Sequence, residues 1–207
     1  DNADNISYFR NILGGLAFIE VLLDLNGGYV TSSSVMTPTF ADIDNDGDFD
    51  FFTGHNEGTI YYYQNTGSDT SATFTEKTAN DNPFNNVDVG NYSQPTFVDL
   101  DKDGDYDALI GASDGMLYYY KNEGSTTTAT YTAKTGTDNP FNGIDVGIEA
   151  APELADMDGD GDVDMFVGEQ TGGVKYFIQN LDDNTPPATP TIIATTPGNS
   201  KVDVTWK

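Results

Sequence analysis

A repeat of 57 residues constrains this chain more than any other feature. PTFADIDNDGDFDFFTG starts at Pro38, PTFVDLDKDGDYDALIG at Pro95 and PELADMDGDGDVDMFVG at Pro152, each 57 residues after the one before. Other segments recur in step. IYYYQN (60–65) returns as LYYYKN (117–122) and, with one inserted residue, as KYFIQN (175–180). NPFNNVDVG (82–90) returns as NPFNGIDVG (139–147) at the same interval. A chain of this kind stacks like units, each a small supersecondary structure that buries its apolar faces against its neighbours.

Each unit reads as short strands separated by turns. In the middle copy these are Thr96 to Val98, Tyr106 to Ile110, the aromatic run Tyr118 to Tyr120 and a Thr-rich run from Thr128 to Thr132. A turn falls at Gly111 to Gly115. β-branched and aromatic residues suit a pleated surface, and no helical period is present. The expected fold is therefore all-β: propeller-like blades of four short antiparallel strands, rather than a solenoid with its shorter coils.

The units are expected at 38–94, 95–151 and 152–181, the last without its final strand. Residues 1–37 read as a partial blade, because Tyr8 to Asn11 resembles the YYQN strand and Phe18 to Glu20 resembles Phe74 to Glu76. The apolar run 15–25 reads as a strand, with a short helix as its alternative. Residues 182–190 (DDNTPPATP) read as an extended proline-rich linker. Residues 191–207 alternate like two strands around a PGNS turn and resemble the start of a fibronectin type III domain, with Trp206 as its core tryptophan. A whole domain of that kind takes about 100 residues.

Composition narrows the function. Of 207 residues 34 are acidic and 8 basic, a formal net charge of −26. Such a chain lacks the cations that displace counterions from nucleic acid or bind anionic lipid. The greasiest stretch, Ile12 to Leu25, is broken by Glu20 and Asp24 and is too short to insert in a membrane. There is no Cys, hence no disulfide or thiolate site, and one His, His55, which reads as a surface residue.

Fifteen of the 34 acidic residues lie in three nine-residue loops of pattern D-x-D-x-D-G-D-x-D. The first holds Asp42, Asp44, Asp46, Asp48 and Asp50; the second Asp99, Asp101, Asp103, Asp105 and Asp107; the third Asp156, Asp158, Asp160, Asp162 and Asp164. Two unit charges about 4 Å apart repel by on the order of 4 kcal/mol at an effective dielectric near 20. A folded loop with five carboxylates thus needs a cation at neutral pH. All-oxygen donors in a flexible loop suit Ca²⁺ better than the tight octahedron of Mg²⁺, and about three ions are expected, one per loop. Positions 1, 3 and 5 read as side-chain ligands, Gly at position 6 as the sharp turn, position 7 as a carbonyl ligand and position 9 as the closing carboxylate. The apolar residues at positions 2 (Ile43, Leu100, Met157) and 8 (Phe49, Tyr106, Val163) read as core anchors, and position 4 as facing water. An EF-hand would need Glu at position 12, where Thr53, Ile110 and Val167 stand.

The D-x-D-x-D-G-x-x-D loop, the apolar strand ending in Gly and the aromatic strand after it resemble the FG-GAP/VCBS repeats of integrin α-subunit propellers and many secreted bacterial proteins. The resemblance covers about 38–180. It implies Ca²⁺ in each blade's loop and propellers of seven or so blades. Three blades are too few for such a ring.

Other motifs have plainer readings. Alternate members of the Tyr runs 61–63 and 118–120 fill the core between blades. In each NPF segment Asn-Pro starts a turn and Phe tucks inward. The expected protein is a secreted or cell-surface calcium-binding module of bacterial type, structural or adhesive, with an extracellular protein or glycan ligand and no catalysis. Two alternatives stand beside it: the propeller portion of a secreted, lyase-like polysaccharide-active enzyme, and a filament subunit that forms homo-oligomers by strand exchange at unfinished blade edges.

Overall fold

The computed structural model describes residues 37–68, 71–157 and 161–179, and the backbone of 7–11 and 18–22. The linker at 182–190 and the fibronectin-like start at 191–207 lie outside the described residues, as do Asp158 and Asp160 of the third loop.

The fold is all-β; the described residues form three antiparallel sheets and a two-stranded hairpin. The hairpin pairs β1 (Ser7–Asn11) with β2 (Phe18–Leu22). Its register sets Asn11 opposite Phe18, as Asn65 stands opposite Phe74 in the next sheet, so it corresponds to the third and fourth strands of a unit. Over 18–22 the strand reading holds. The first sheet runs β3 (Thr37–Ala41), β4 (Asp50–Gly54), β5 (Ile60–Asn65) and β6 (Phe74–Lys77) in chain order. The second repeats it with β7 (Gln94–Val98), β8 (Asp107–Gly111), β9 (Leu117–Asn122) and β10 (Tyr131–Lys134). The third has β11 (Ala151–Ala155), β12 (Asp164–Gly168) and β13 (Val174–Phe177) among the described residues.

Two strands differ from expectation. The fourth strand expected at Thr128 to Thr132 is shifted to β10, overlapping it at Tyr131 and Thr132, because Ser125 and Thr128 exchange backbone hydrogen bonds of 3.0 and 3.2 Å and make the hairpin turn. β13 carries no insertion. It pairs Tyr176 with Phe166 as Tyr62 pairs with Phe52, so the 57-residue interval holds through this strand as well.

Successive side chains of a strand point to opposite faces, and here both faces are covered. Each second strand is therefore apolar nearly throughout, and β4 and β8 are buried at every position. Phe52, Tyr62 and Phe84 of the first unit pack with Ala108, Ile110 and Ala112 of the second. From the other face of β8, Leu109 packs with Tyr119, Phe141 and the third unit's Met165, Val167 and Phe177. The cores thus lie between sheets. The first strands come together, β3 against β7 and β7 against β11.

The connections strap the sheets. Phe84 and Phe141 are buried, and the side chain of the preceding Asn (Asn82, Asn139) accepts their N–H at 2.9 Å while donating to Ile60 and Leu117 at 3.2 Å. Each strap then hands on to the next unit: Ser113 N–H donates to Asn91 O at 2.9 Å, and one repeat later Gln170 N–H donates to Ile148 O at 2.8 Å. The glycines ending β4 and β8 admit this approach. A Cβ at Gly54 would lie 1.9 Å from Ser93 O, and one at Gly111 2.0 Å from Ala150 O.

Candidate metal centre

Each Asp loop joins the first and second strands of its unit. Position 1 organises the turn: Asp42 accepts the N–H groups of Asp46 at 3.2 Å and Gly47 at 3.0 Å, and Asp99 accepts those of Asp103 at 3.1 Å and Gly104 at 3.0 Å. Asp156 repeats the contact to Gly161 at 3.1 Å. Gly47 and Gly104 both have φ of +96°, a backbone that a side chain would strain. Folding the loop this way converges its carboxylates. Asp42, Asp44 and Asp46 bring oxygens within 4.8 Å of one another, and so do Asp99, Asp101 and Asp103.

Position 9 takes a different direction. Asp50, Asp107 and Asp164 are buried at the start of the second strand. Asp50 accepts Tyr62 OH at 2.9 Å and Asn65 N–H at 2.8 Å; Asp107 accepts Tyr119 OH at 2.7 Å and Asn122 N–H at 2.8 Å. Asp164 accepts Tyr176 OH and Gln179 N–H, both at 3.0 Å. This carboxylate ties the loop to the third strand. Burial pushes Asp50 up to about 7 against the opposing pull of Asn65 and Tyr62, and burial also raises Asp107. Tyr62 and Tyr119 are raised too, by burial first, so their hydroxyls stay protonated as donors.

With position 9 turned inward, position 8 turns outward. Phe49 is 63% exposed and Tyr106 37%, so neither is a core anchor, and Val163 is half-buried. At position 2, Ile43 is buried and Leu100 packs partly into the core, but Met157 is 49% exposed. His55 is buried rather than on the surface, its Nδ1 accepting Glu57 N–H at 3.3 Å and its ring against the edge of Tyr61.

At position 7 the side chains are drawn in. Asp105 is 8% exposed and Asp162 1%, while Asp48 is half-buried. Burial and then the charge of Asp103 push Asp105 up to about 6. Asp103 is lowered, chiefly by the N–H of Asp105 that it accepts. Lys102, at the exposed position 4 of the second loop, crosses to the third and donates to Asp162 at 2.7 Å.

The third strand supplies one more contact. Tyr62 and Gln64 are two residues apart on β5 and share a face beneath the loop; on β9, Tyr119 and Lys121 do the same. Gln64 donates to Asp44, whose other oxygen, Oδ1, is buried with no hydrogen-bond partner. Lys121 donates to Asp101 and stands 3.6 Å from Asp103. Sequence reasoning missed the tyrosine clamp and these two residues, although the recurrence of Tyr62, Tyr119 and Tyr176 at the repeat interval was a visible signal.

The donor set fits a hard cation. It contains only oxygens, three carboxylates face one another in each of two described loops, and buried oxygens of Asp44 and Asp105 lack protein donors.

Residues 42–110, from the first Asp loop to the second strand of the next unit, match the family model described as an FG-GAP-like repeat. The match covers about a third of the chain. A comparison with curated proteins finds no match.

Proposed function

We propose that the chain is a calcium-binding extracellular repeat module with a structural or adhesive role, presenting its blades to a protein or glycan partner and carrying out no catalysis. One observation carries the reading: the convergence of Asp42, Asp44 and Asp46, and again of Asp99, Asp101 and Asp103, within 4.8 Å. The FG-GAP-like match supports it, because such repeats are typical of extracellular proteins. Asp42, Asp44, Asp46, Asp48 and Asp50 would hold the first ion, and Asp99, Asp101, Asp103, Asp105 and Asp107 the second. The third loop would use Asp156, Asp158, Asp160, Asp162 and Asp164. A bound divalent ion offsets the repulsion among the carboxylates. Its role is to rigidify, since the loop is tied through position 9 to the third strand of its sheet.

Thermal melts with and without divalent ions test the proposal. A ligand at 100 times its Kd adds about 2.7 kcal/mol per site. At roughly 2–4 °C per kcal/mol for a chain of this size, two or three filled loops raise the melting temperature by about 10–30 °C. EDTA should remove that increment and added Ca²⁺ restore it. A melt unchanged by removing all divalent ions overturns the calcium assignment.

A further inference from the structure

The two described loops share a backbone but differ in the side chain that the third strand places under them. Beneath the first loop is Gln64, a neutral amide donating to Asp44. Beneath the second, at the same point of the repeat, is Lys121, whose ammonium donates to Asp101 and lies 3.6 Å from Asp103. Two of the chain's eight basic residues therefore serve the second loop, Lys121 within it and Lys102 bridging from it to Asp162. Among the described residues none forms an ion pair with the first loop, although Lys77 lines the same cavity as Asp44 and Gln64.

We infer that Lys121 is a built-in competitor for the second loop, so that calcium fills the first loop at lower concentration and the second only after the ammonium is displaced. This rests on the calcium reading above and adds an order of loading to it. The chemistry is direct. Asp101 and Asp103 offer a divalent ion the same oxygens that Lys121 holds, and a cation cannot enter while an ammonium remains within a few ångströms of those oxygens. Lys121 is not trapped: its side chain is 31% exposed on a flexible stem and can swing toward solvent. Displacement therefore lowers affinity without abolishing it. Loop affinities are tuned by ligand charge, and cancelling one negative charge out of five is expected to weaken the second loop about tenfold. The ammonium also has a use without the metal. It holds Asp101 and Asp103 together, whereas among the described residues no ion pair does so in the first loop. Beside them Asp105 is 8% exposed, with an Oδ1 that lacks a hydrogen-bond partner, so one buried oxygen in the second loop still awaits a cation.

The loops can be read separately through their turn glycines, because Gly47 and Gly104 N–H groups donate to Asp42 and Asp99 at 3.0 Å each. Full-length chain labelled with ¹⁵N, stripped of metal and titrated with CaCl₂ alone, is followed at these two amides by NMR. The Gly47 midpoint should fall at about tenfold lower Ca²⁺ than that of Gly104. Lys121→Gln, which installs the residue found under the first loop, should close that gap by moving only Gly104. Gln64→Lys should move Gly47 to higher concentration. Coincident midpoints in the unmodified chain, or a gap that Lys121→Gln leaves unchanged, overturn the inference while calcium binding stands. If neither amide responds to millimolar Ca²⁺, the calcium reading fails, and the loading order falls with it.

Discussion

The first and second Asp loops are near copies in sequence and backbone, yet they neutralise their charge by different means. In the first, five carboxylates meet an amide and Asp44 Oδ1 is left without a donor. In the second, an ammonium sits between Asp101 and Asp103, and a second ammonium leaves from position 4 to neutralise Asp162 in the next unit. Repetition preserves the framework: the Asp at position 1 bonded to its own turn, and the Asp at position 9 bonded to a tyrosine and a backbone N–H. It does not preserve the counter-charge. Repeats of this type can thus keep one geometry while each loop acquires its own dependence on ions.

The largest effect should come from the framework the loops share. Tyr62→Phe and Tyr119→Phe each remove a hydroxyl from a buried carboxylate, with a cost of about 1–3 kcal/mol. Chemical denaturation should give similar losses for the two, since the hydrogen bonds are 2.9 and 2.7 Å. A clear inequality would show that the clamp, like the counter-charge, differs between units.

Acidity separates the loops next. Burial pushes Asp50 up to about 7 in the fold, well above the ordinary carboxylate range, and pushes Asp105 up to about 6. A folded-state pKa above the unfolded one means the fold prefers the proton. The contribution to stability is whole below about 4 and disappears as pH rises through the folded value. In EDTA the melting temperature should therefore climb as pH falls from about 8 to about 5.5. Asp50→Asn should flatten the part near 7 and Asp105→Asn the part near 6. With saturating Ca²⁺ the slope should reverse, because ligating carboxylates must be deprotonated. A melt in EDTA that worsens steadily with acid would refute the assignment of these two groups.

The smallest expected effect concerns the missing bridge. Asn45 stands one repeat before Lys102, and Asp105 one repeat before Asp162. Asn45→Lys should recreate the cross-unit pair against a buried Asp105 and add about 1 kcal/mol, read as a rise of roughly 2–4 °C in the melt. No rise there, together with no loss in Lys102→Asn, would show that the bridge contributes nothing.

Much of this was legible in the sequence because a fixed interval carries its own alignment. Three occurrences of the Pro-to-Gly segment located three first strands, three loops and three second strands, and NPF announced a buried phenylalanine in a turn capped by its Asn. What escaped depended on direction and distance. The apolar residues at position 8 suggested burial, but the next residue, Asp50 or Asp107, points inward to a tyrosine, and strand alternation sends Phe49 and Tyr106 outward. Matching the letters QN placed an insertion in β13; pairing by Tyr176 and Asp164 removes it. Lys102 reaches Asp162 across 60 residues, a contact visible only once the sheets are side by side.

The straps carry a consequence of their own. Each connection bonds to the turn of the unit it leaves and then, through Asn91 to Ser113 or Ile148 to Gln170, to the turn of the unit it enters. A single 57-residue segment therefore encodes both halves of a joint, the socket behind it and the peg ahead. Copying that stretch of gene once adds a unit that already fits at either side, and tension along such an array passes through backbone bonds from joint to joint rather than through side-chain packing alone.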